Sequence, residues 1–195
     1  MRIFWLHTIS TVAKSGNRNI ATKILGTKPS LIPPIIRRAE KKLGITFFHR
    51  IPWVNQTPDR LWNIADDRAA IIIKHIDAIL HEMDTIEDMT FIATLKKANE
   101  YTRYLVRTGD IERIVVLRGH SLATAARILD VERHKIKRSL AKIDRWLGVK
   151  IYANLQRGTE QLKVLTQIGE QLYPYLVKIH SHYQDILELA GKHDG

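Results

Sequence analysis

The sequence predicts a mainly α-helical fold in which one small helical unit occurs twice, and three observations predict it. Laying Ala21 over Ala125, an offset of 104, sets "ATKILGTKPSLIPPIIRRAEKKLGITFF" against "AARILDVERHKIKRSLAKIDRWLGVKIY" without a gap. Within each copy the apolar residues recur at helical spacing. Charge alternates in step with the repeat: residues 1–57 hold ten Lys and Arg against one acid, 58–110 seven against ten, 111–157 eleven against four, and 158–195 three against five.

In chain order, "MRIFWLHTISTVAKSGN" forms an amphipathic helix with Ile3, Leu6, Ile9, Val12 and Ala13 on one face, closed by "SGN". Its counterpart, "DIERIVVLRGHS", aligns only with a one-residue slip. Each copy continues as a short helix, a turn and a longer helix. The longer helix buries Ile32, Ile36, Ala39 and Leu43 in the first copy and Ile136, Leu140, Ile143 and Leu147 in the second. Gly44 and Gly148 follow at once, where a left-handed residue commonly ends a helix, and "ITFF" and "VKIY" begin a strand. Residues 58–82 form a long helix with Leu61, Ile64, Ala65, Ile72, Ile76 and Ile79 at helical intervals. "GEQLYPYLVKIHSHYQDILELAG" does likewise through Leu172, Leu176, Ile179, Tyr183 and Leu187, with Pro174 interrupting it early. The intervening "TIEDMTFIATLKKANEYTRYLVRTG" reads as a further helix or two, with Phe91, Ile92, Leu95 and Leu105 available for packing.

Composition narrows the function classes. At 45% hydrophobic and 26% charged the chain has an ordinary globular balance. It has no cysteine, so neither disulfides nor a thiolate metal site is available and a reducing compartment is expected. The N-terminal stretch breaks its apolar residues too soon for a signal peptide, and the longest unbroken apolar run, "AAIII" at 69–73, is far short of the roughly 20 residues of a membrane span. A cytoplasmic protein without a membrane partner is expected. A net charge of +11, concentrated in two blocks, points to a polyanion. Catalysis finds little support. His180, His182 and His193 have neither a carboxylate at a recognised metal spacing nor a cysteine, and Asp66 and Asp67 read as a solvated helix face. No phosphate-cradling glycine loop or nucleophile motif appears. The expectation is a protein that is not an enzyme and has no cofactor, metal or catalytic residues, with Trp5, Trp53, Trp62 and Trp146 used for packing.

The spaced string A-A-x-x-L, six variable residues, I-x-x-L-x-x-x-L-G-x-x-[LIF]-[FY], preceded by Gly-Ser or a near equivalent and followed by T-x-x-G, resembles the winged helix-turn-helix domain of LysR-type bacterial transcription regulators. It occurs twice, running through "LGITFFHR" to "TPDR" and from "HSLATAARIL" through "LGVKIY" to "TQIGEQL". Asn17 replaces the usual serine, Thr22 an alanine and Arg60 the glycine after the wing. The second copy lacks a counterpart of Arg50, and its wing is five residues longer between Asn154 and Thr166. The effector-binding domain of that family has no room here. The resemblance implies two tandem winged helix-turn-helix domains, each with a small β-wing, joined by long linker helices. Their expected bounds are 1–57 for the first domain, 58–110 for linker helices of the dimerisation type, 111–165 for the second domain, and 166–195 for a C-terminal linker-type helix. In LysR-type proteins the linker helices pair antiparallel between two subunits. This chain carries both, so an intramolecular pseudo-dimer is expected.

In such a domain the second helix of the motif enters the major groove, while neighbouring helices and the wing hold phosphates. With Ile136, Leu140 and Ile143 buried, His134, Lys135, Lys137, Arg138 and Lys142 point outward, where Lys and Arg pair with guanine or neutralise phosphate. The candidate DNA-contacting set adds Asn17, Lys28, Ser30, Arg37, Arg38 and Arg50 in the first copy, and Ser121, Arg133 and Arg157 in the second. Pro33 and Pro34 lie where the second copy has Lys137 and Arg138, so two groove-facing slots offer no hydrogen bond. A residue before proline avoids the α region, which biases Ile32 and Pro33 towards extended backbone. Either Pro34 is the first helical residue or Ser30 is the N-cap; both start the helix about one turn or less after its twin. The implied function is a sequence-specific regulator of transcription on double-stranded DNA, with RNA polymerase or another regulator as a further partner and a homodimer left open. Beside it stand an architectural or nucleoid DNA-binding protein and a protein-interaction regulator with one degenerate winged domain.

Overall fold

A computed structural model describes residues 1–44, 46–48, 60–84, 106–157 and 160–191, excluding the side chains of 60–66, 82–84, 157, 160–161 and 189. The expected first wing with Arg50 and the helices expected over 85–105 lie outside the described residues. The described chain is mainly helical, with eight α-helices, one 3-10 turn and a two-stranded antiparallel sheet. Among the described residues no helix is long and apolar enough to cross a membrane. Contacts divide the chain into two units. The described residues of the first fall within Met1–Lys74 and Ser181–Gly195, and those of the second within His75–Thr94 and Val106–His180.

In the first unit, α1 (Ile3–Ser15) buries the expected stripe of Ile3, Leu6, Ile9 and Val12, each such side chain contributing about 1.5–3 kcal/mol relative to exposure. Thr8 and Thr11 are buried as well, and each hydroxyl donates to the carbonyl one turn back, of Phe4 and His7, at 2.8 Å. α2 (Arg18–Leu25) is capped by Asn17, whose Oδ1 accepts from the N–H groups of Asn19 at 2.8 Å and Ile20 at 3.4 Å. α1 packs against both α2 and α3 (Ile32–Leu43), and α3 presents Ile32, Ile35, Ile36, Ala39 and Leu43 to the core.

The two prolines sit at the start of α3, and the backbone differs from the expectation at the helix cap and at Ile32 and Pro33, both of which are helical and not extended. Pro29–Leu31 forms a 3-10 turn, and α3 follows directly from Ile32, so Ser30 lies inside the turn and does not cap the helix. Ile32 is α-helical at φ −64°, ψ −52° despite preceding a proline. Its N–H bonds the Pro29 carbonyl and its side chain is fully buried, which together outweigh the steric bias towards extended backbone. Pro33 and Pro34 then occupy the second and third helical positions, whose N–H groups have no intrahelical partner in any helix.

In the second unit, α5 (Thr108–Leu117) buries Thr108, Ile111, Ile114 and Leu117, the pattern of Ile3, Leu6, Ile9 and Val12 displaced by the expected extra residue. α6 (Leu122–Ile128) is capped by Ser121, whose Oγ accepts from the Thr124 N–H at 3.2 Å. α7 (Arg133–Leu147) buries Ile136, Leu140, Ile143 and Leu147, and also Ser139 and Trp146. It starts three residues earlier than α3 does by the repeat, so the stretch that is a 3-10 turn in the first copy is here the first α-helical turn. At the turn between α6 and α7, Asp130 adopts φ 48° where the first copy has Gly26 at 57°. After Gly148, β1 (Tyr152–Arg157) and β2 (Glu160–Leu165) pair antiparallel, Tyr152 opposite Leu165. α8 (Gln167–Gly191) runs on unbroken through Pro174. Its buried stripe is Leu172, Leu176, Ile179, Tyr183 and then Ile186, with the expected Leu187 only half-buried. The other 25-residue helix, α4 (Arg60–Asp84), which like α8 contributes residues to both units, buries Ala69, Ile72, Ile76 and Ile79.

One tertiary hydrogen bond recurs in both units at the repeat offset. Glu40 Oε1 accepts the Phe47 N–H at 2.9 Å, and Asp144 Oδ1 accepts the Ile151 N–H at 3.1 Å. In each case a carboxylate on the last turns of the longer helix ties down the chain that follows it. Burial pushes the Asp144 carboxyl above its ordinary range, opposed by the Ile151 N–H and the nearby Lys150 and Lys163.

Candidate nucleic-acid interface

The outward face of α7 carries charge in an arrangement that costs the helix stability. Arg133, His134, Lys135, Lys137 and Arg138 are all exposed, and with Ile136 they make up the first six residues of the helix. The N-terminus of a helix is its positive end, where each cation is unfavourable by about 0.3–1 kcal/mol at low ionic strength. The first turn contains no acid. Partial relief comes from Glu132 at the N-cap, whose Oε2 lies 2.9 Å from His134 Nδ1. Among the described residues, Arg133, Lys135, Lys137 and Arg138 have no ion-pair partner, so their field is directed at solvent.

Lys142, the fifth residue expected to face outward, is half-exposed but drawn towards α5. Its Nζ lies 3.6 Å from Asp110 Oδ1. The Asp110 side chain is 4% exposed, accepts the Ser139 hydroxyl at 2.6 Å and lies 3.4 Å from Arg113 Nη1, which also donates to Ser139 Oγ at 3.1 Å. This cluster fixes α7 on α5 through a buried carboxylate. Sequence spacing did not single out Asp110, Arg113 or Ser139. The only signal was a serine on the otherwise apolar buried face of α7.

The hairpin and α8 are joined to the same body. Ser121 bridges to Leu162 of β2, so the N-cap of α6 touches the hairpin. Lys163 Nζ donates to Asn154 Oδ1 across the strands. Tyr152 donates its hydroxyl to the Ile114 carbonyl at 2.8 Å, and burial pushes that phenol well above its usual range. Thr166 Oγ1 donates to the Lys150 carbonyl at 2.8 Å and accepts the Gly169 N–H at 3.0 Å, while its own N–H bonds the Ile151 carbonyl at 2.9 Å. A Cβ on Gly169 would stand 2.2 Å from the Ile151 oxygen, which is the physical content of the T-x-x-G spacing. Arg118 stacks over the Tyr173 ring at 4.5 Å and pairs with Glu170 at 3.1 Å, and Tyr173 donates to the Val115 carbonyl at 3.1 Å, securing α8 to α5.

The corresponding face of the first unit has a different character. Pro29, Ser30 and Leu31 stand where the second copy has Arg133, His134 and Lys135, and all three are exposed. Pro33 and Pro34, half-buried, stand in for Lys137 and Arg138. Lys28, Arg37 and Arg38 are exposed and, among the described residues, without an ion-pair partner. Asn17 and Ser121 are both committed through side-chain oxygens to capping. Arg157 ends β1, and its side chain lies outside the described residues. Among those residues no group of three or more His, Asp or Glu is placed to hold a metal ion. Comparison with family models, with curated proteins and with solved structures gave no match.

Proposed function

We propose that the chain is a sequence-specific double-stranded DNA-binding regulator of transcription, built as tandem winged helix-turn-helix domains, in which α7 reads the major groove. The observation that carries this reading is the cationic first turn of α7. Arg133, His134 and Lys135 in that turn, at the positive end of the helix, oppose local stability, and Lys137 and Arg138 extend the exposed cationic face into the next turn. Positions that break a local rule without a folding benefit are expected at functional sites. Phosphate is the ligand that turns this arrangement from cost to gain, and guanine edges are readable by the same side chains.

The β-hairpin, bridged to the Ser121 cap, supports a wing beside the reading helix. The long helices support an intramolecular pseudo-dimer. In the first unit Arg68 of α4 pairs with Asp185 of α8 at 3.4 Å, and in the second the His75 and Tyr175 rings of the same two helices lie 6.2 Å apart. The bound sequence is then asymmetric, because α3 offers prolines where α7 offers donors.

The test replaces Lys137 and Arg138 together by alanine and measures binding to a selected site and to random duplex. Loss of a bidentate base contact removes roughly 1–3 kcal/mol of discrimination, so the preference for the selected site is expected to collapse while random-duplex binding falls less. Equal losses on both duplexes indicate phosphate anchors and an architectural role. No selectable site indicates that the chain does not read sequence.

A further inference from the structure

Three of the large apolar side chains exposed among the described residues lie within one short stretch of the first unit. Ile20 is 49% exposed, Ile24 54% and Leu31 46%. Ile20 and Ile24 are four residues apart on α2, one turn above the other, and α2 packs against the 3-10 turn that carries Leu31. At the repeat offset the second unit has Thr124, Ile128 and Lys135, so two of the three apolar positions belong to the first copy alone. Leu31 is flanked by the exposed Pro29 and followed by the rigid Pro33–Pro34 pair. Exposed single apolar residues are ordinary, but a clustered set marks a docking surface.

We propose that this face of the first unit, Ile20 and Ile24 of α2 with Leu31 of the turn, docks an acidic amphipathic helix of another protein. The occupant follows from the rim. Lys23 and Lys28 are exposed between and beside the apolar residues, and Arg37 is exposed on the next helix, with no ion-pair partner among the described residues. A helix with an apolar stripe fills the face, and carboxylates on its flanks meet the cations. Duplex DNA fits less well. In a helix-turn-helix the first helix crosses the phosphate backbone, where Ile20 and Ile24 have nothing apolar to meet. The inference uses the first unit alone and stands whether or not α7 binds DNA.

The test titrates the full chain with a labelled synthetic helix of about 18 residues, leucines at helical spacing and glutamates elsewhere, against a peptide of the same composition with the leucines permuted. Saturable binding of the first peptide alone is expected, with backbone amide shifts confined to α2, the 3-10 turn and the start of α3. Ile24→Asp and Leu31→Asp, both at exposed positions that leave the core intact, are each expected to weaken it at least about tenfold. Ile128→Asp, at the equivalent exposed position of the second unit, is expected to leave it unchanged. Equal binding of the permuted peptide overturns the proposal, reducing it to charge attraction. So does an absence of saturable binding, or amide shifts that fall on α7. A dimer that Ile24→Asp converts to monomer makes a second copy the occupant and overturns it too.

Discussion

Replacing Gly169 by alanine tests the joint between the hairpin and α8 at its tightest point. The new Cβ lies 2.2 Å from the Ile151 carbonyl oxygen, 3.1 Å from its carbon and 3.2 Å from Leu165 Cδ2. The oxygen is backbone and accepts the Thr166 N–H at 2.9 Å, so it cannot rotate away as a flexible side chain would. To reach an ordinary contact it must retreat by more than an ångström, which breaks that hydrogen bond and pulls on Tyr152 at the start of β1. Overpacking of this kind costs about 1–3 kcal/mol, and a lost hydrogen bond about 0.5–1.5 kcal/mol. Alanine returns about 0.5–1 kcal/mol through helix propensity and a less flexible unfolded chain. The net expectation is destabilisation of roughly 1–3 kcal/mol. Urea denaturation followed by far-ultraviolet circular dichroism measures it. Gly109→Ala is the control: Gly109 is the second residue of α5, nothing lies within 4 Å of its added Cβ, and stabilisation of about 0.5–1 kcal/mol is expected. If Gly169→Ala is as stable as Gly109→Ala, the close approach to Ile151 does not constrain the fold and does not account for the glycine in T-x-x-G.

Lys135→Gln is expected to stabilise the protein by about 0.3–1 kcal/mol at low salt while weakening duplex binding; if stability falls instead, Lys135 is held by packing and not spent on a ligand. Asp130→Gly relieves a left-handed backbone at a non-glycine residue, and a gain of up to about 1 kcal/mol in urea denaturation is expected after the flexibility of glycine is counted. Asp144 has its carboxyl raised by burial, so the folded state binds more protons than the unfolded one between the ordinary value of 3.8 and the raised value, and its contribution to stability falls as pH rises through that window. Asp144→Asn keeps an acceptor for the Ile151 N–H without the charge; it is expected to match or exceed wild type in stability at neutral pH, and to lose that advantage as the solution is acidified through the window.

Much of this fold was legible because burial repeats at the helical period. Every residue of the two stripes expected on α3 and α7 is buried, and the glycines expected to close those helices do so at φ 70° and 74°. Periodicity alone failed where two steps were equally allowed. After Tyr183 the next buried residue falls at three residues, Ile186, and not at four, Leu187. The proline bias failed at Ile32 because a local hydrogen bond and full burial outweighed it. The outward set on α7 followed from its stripe, but spacing could not show that Lys142 is drawn to Asp110 or that His134 is paired with Glu132. Those are contacts between side chains whose meeting depends on how α5 and α7 pack or on a rotamer. Asp130 in the place of Gly26 was visible in the repeat, yet nothing in sequence says that aspartate would accept the left-handed backbone.

The same hexapeptide position therefore carries two opposite solutions. In "RHKIKR" the helix begins at the first residue and sets cations around its positive end. In "PSLIPP" a 3-10 turn takes the first three residues and the α-helix starts at the isoleucine. The buried isoleucine, Ile32 or Ile136, is the only residue type shared, and it is fully buried in both. The fold thus demands one apolar anchor from this stretch and leaves the other five positions free to differ. In the second copy those five are cationic or titratable, and the three in the first turn cost helix stability. In the first, prolines at the second and third helical positions cost nothing, because the N–H groups they lack have no intrahelical partner there. Substituting Pro33→Lys and Pro34→Arg therefore separates folding from reading. The double variant is expected to fold normally, to gain affinity for duplex, and to raise base preference in the half-site under α3, read by selection from a random library. An unchanged preference with higher overall affinity would show that α3 lies against phosphate alone, and that donors at its start meet no base edge.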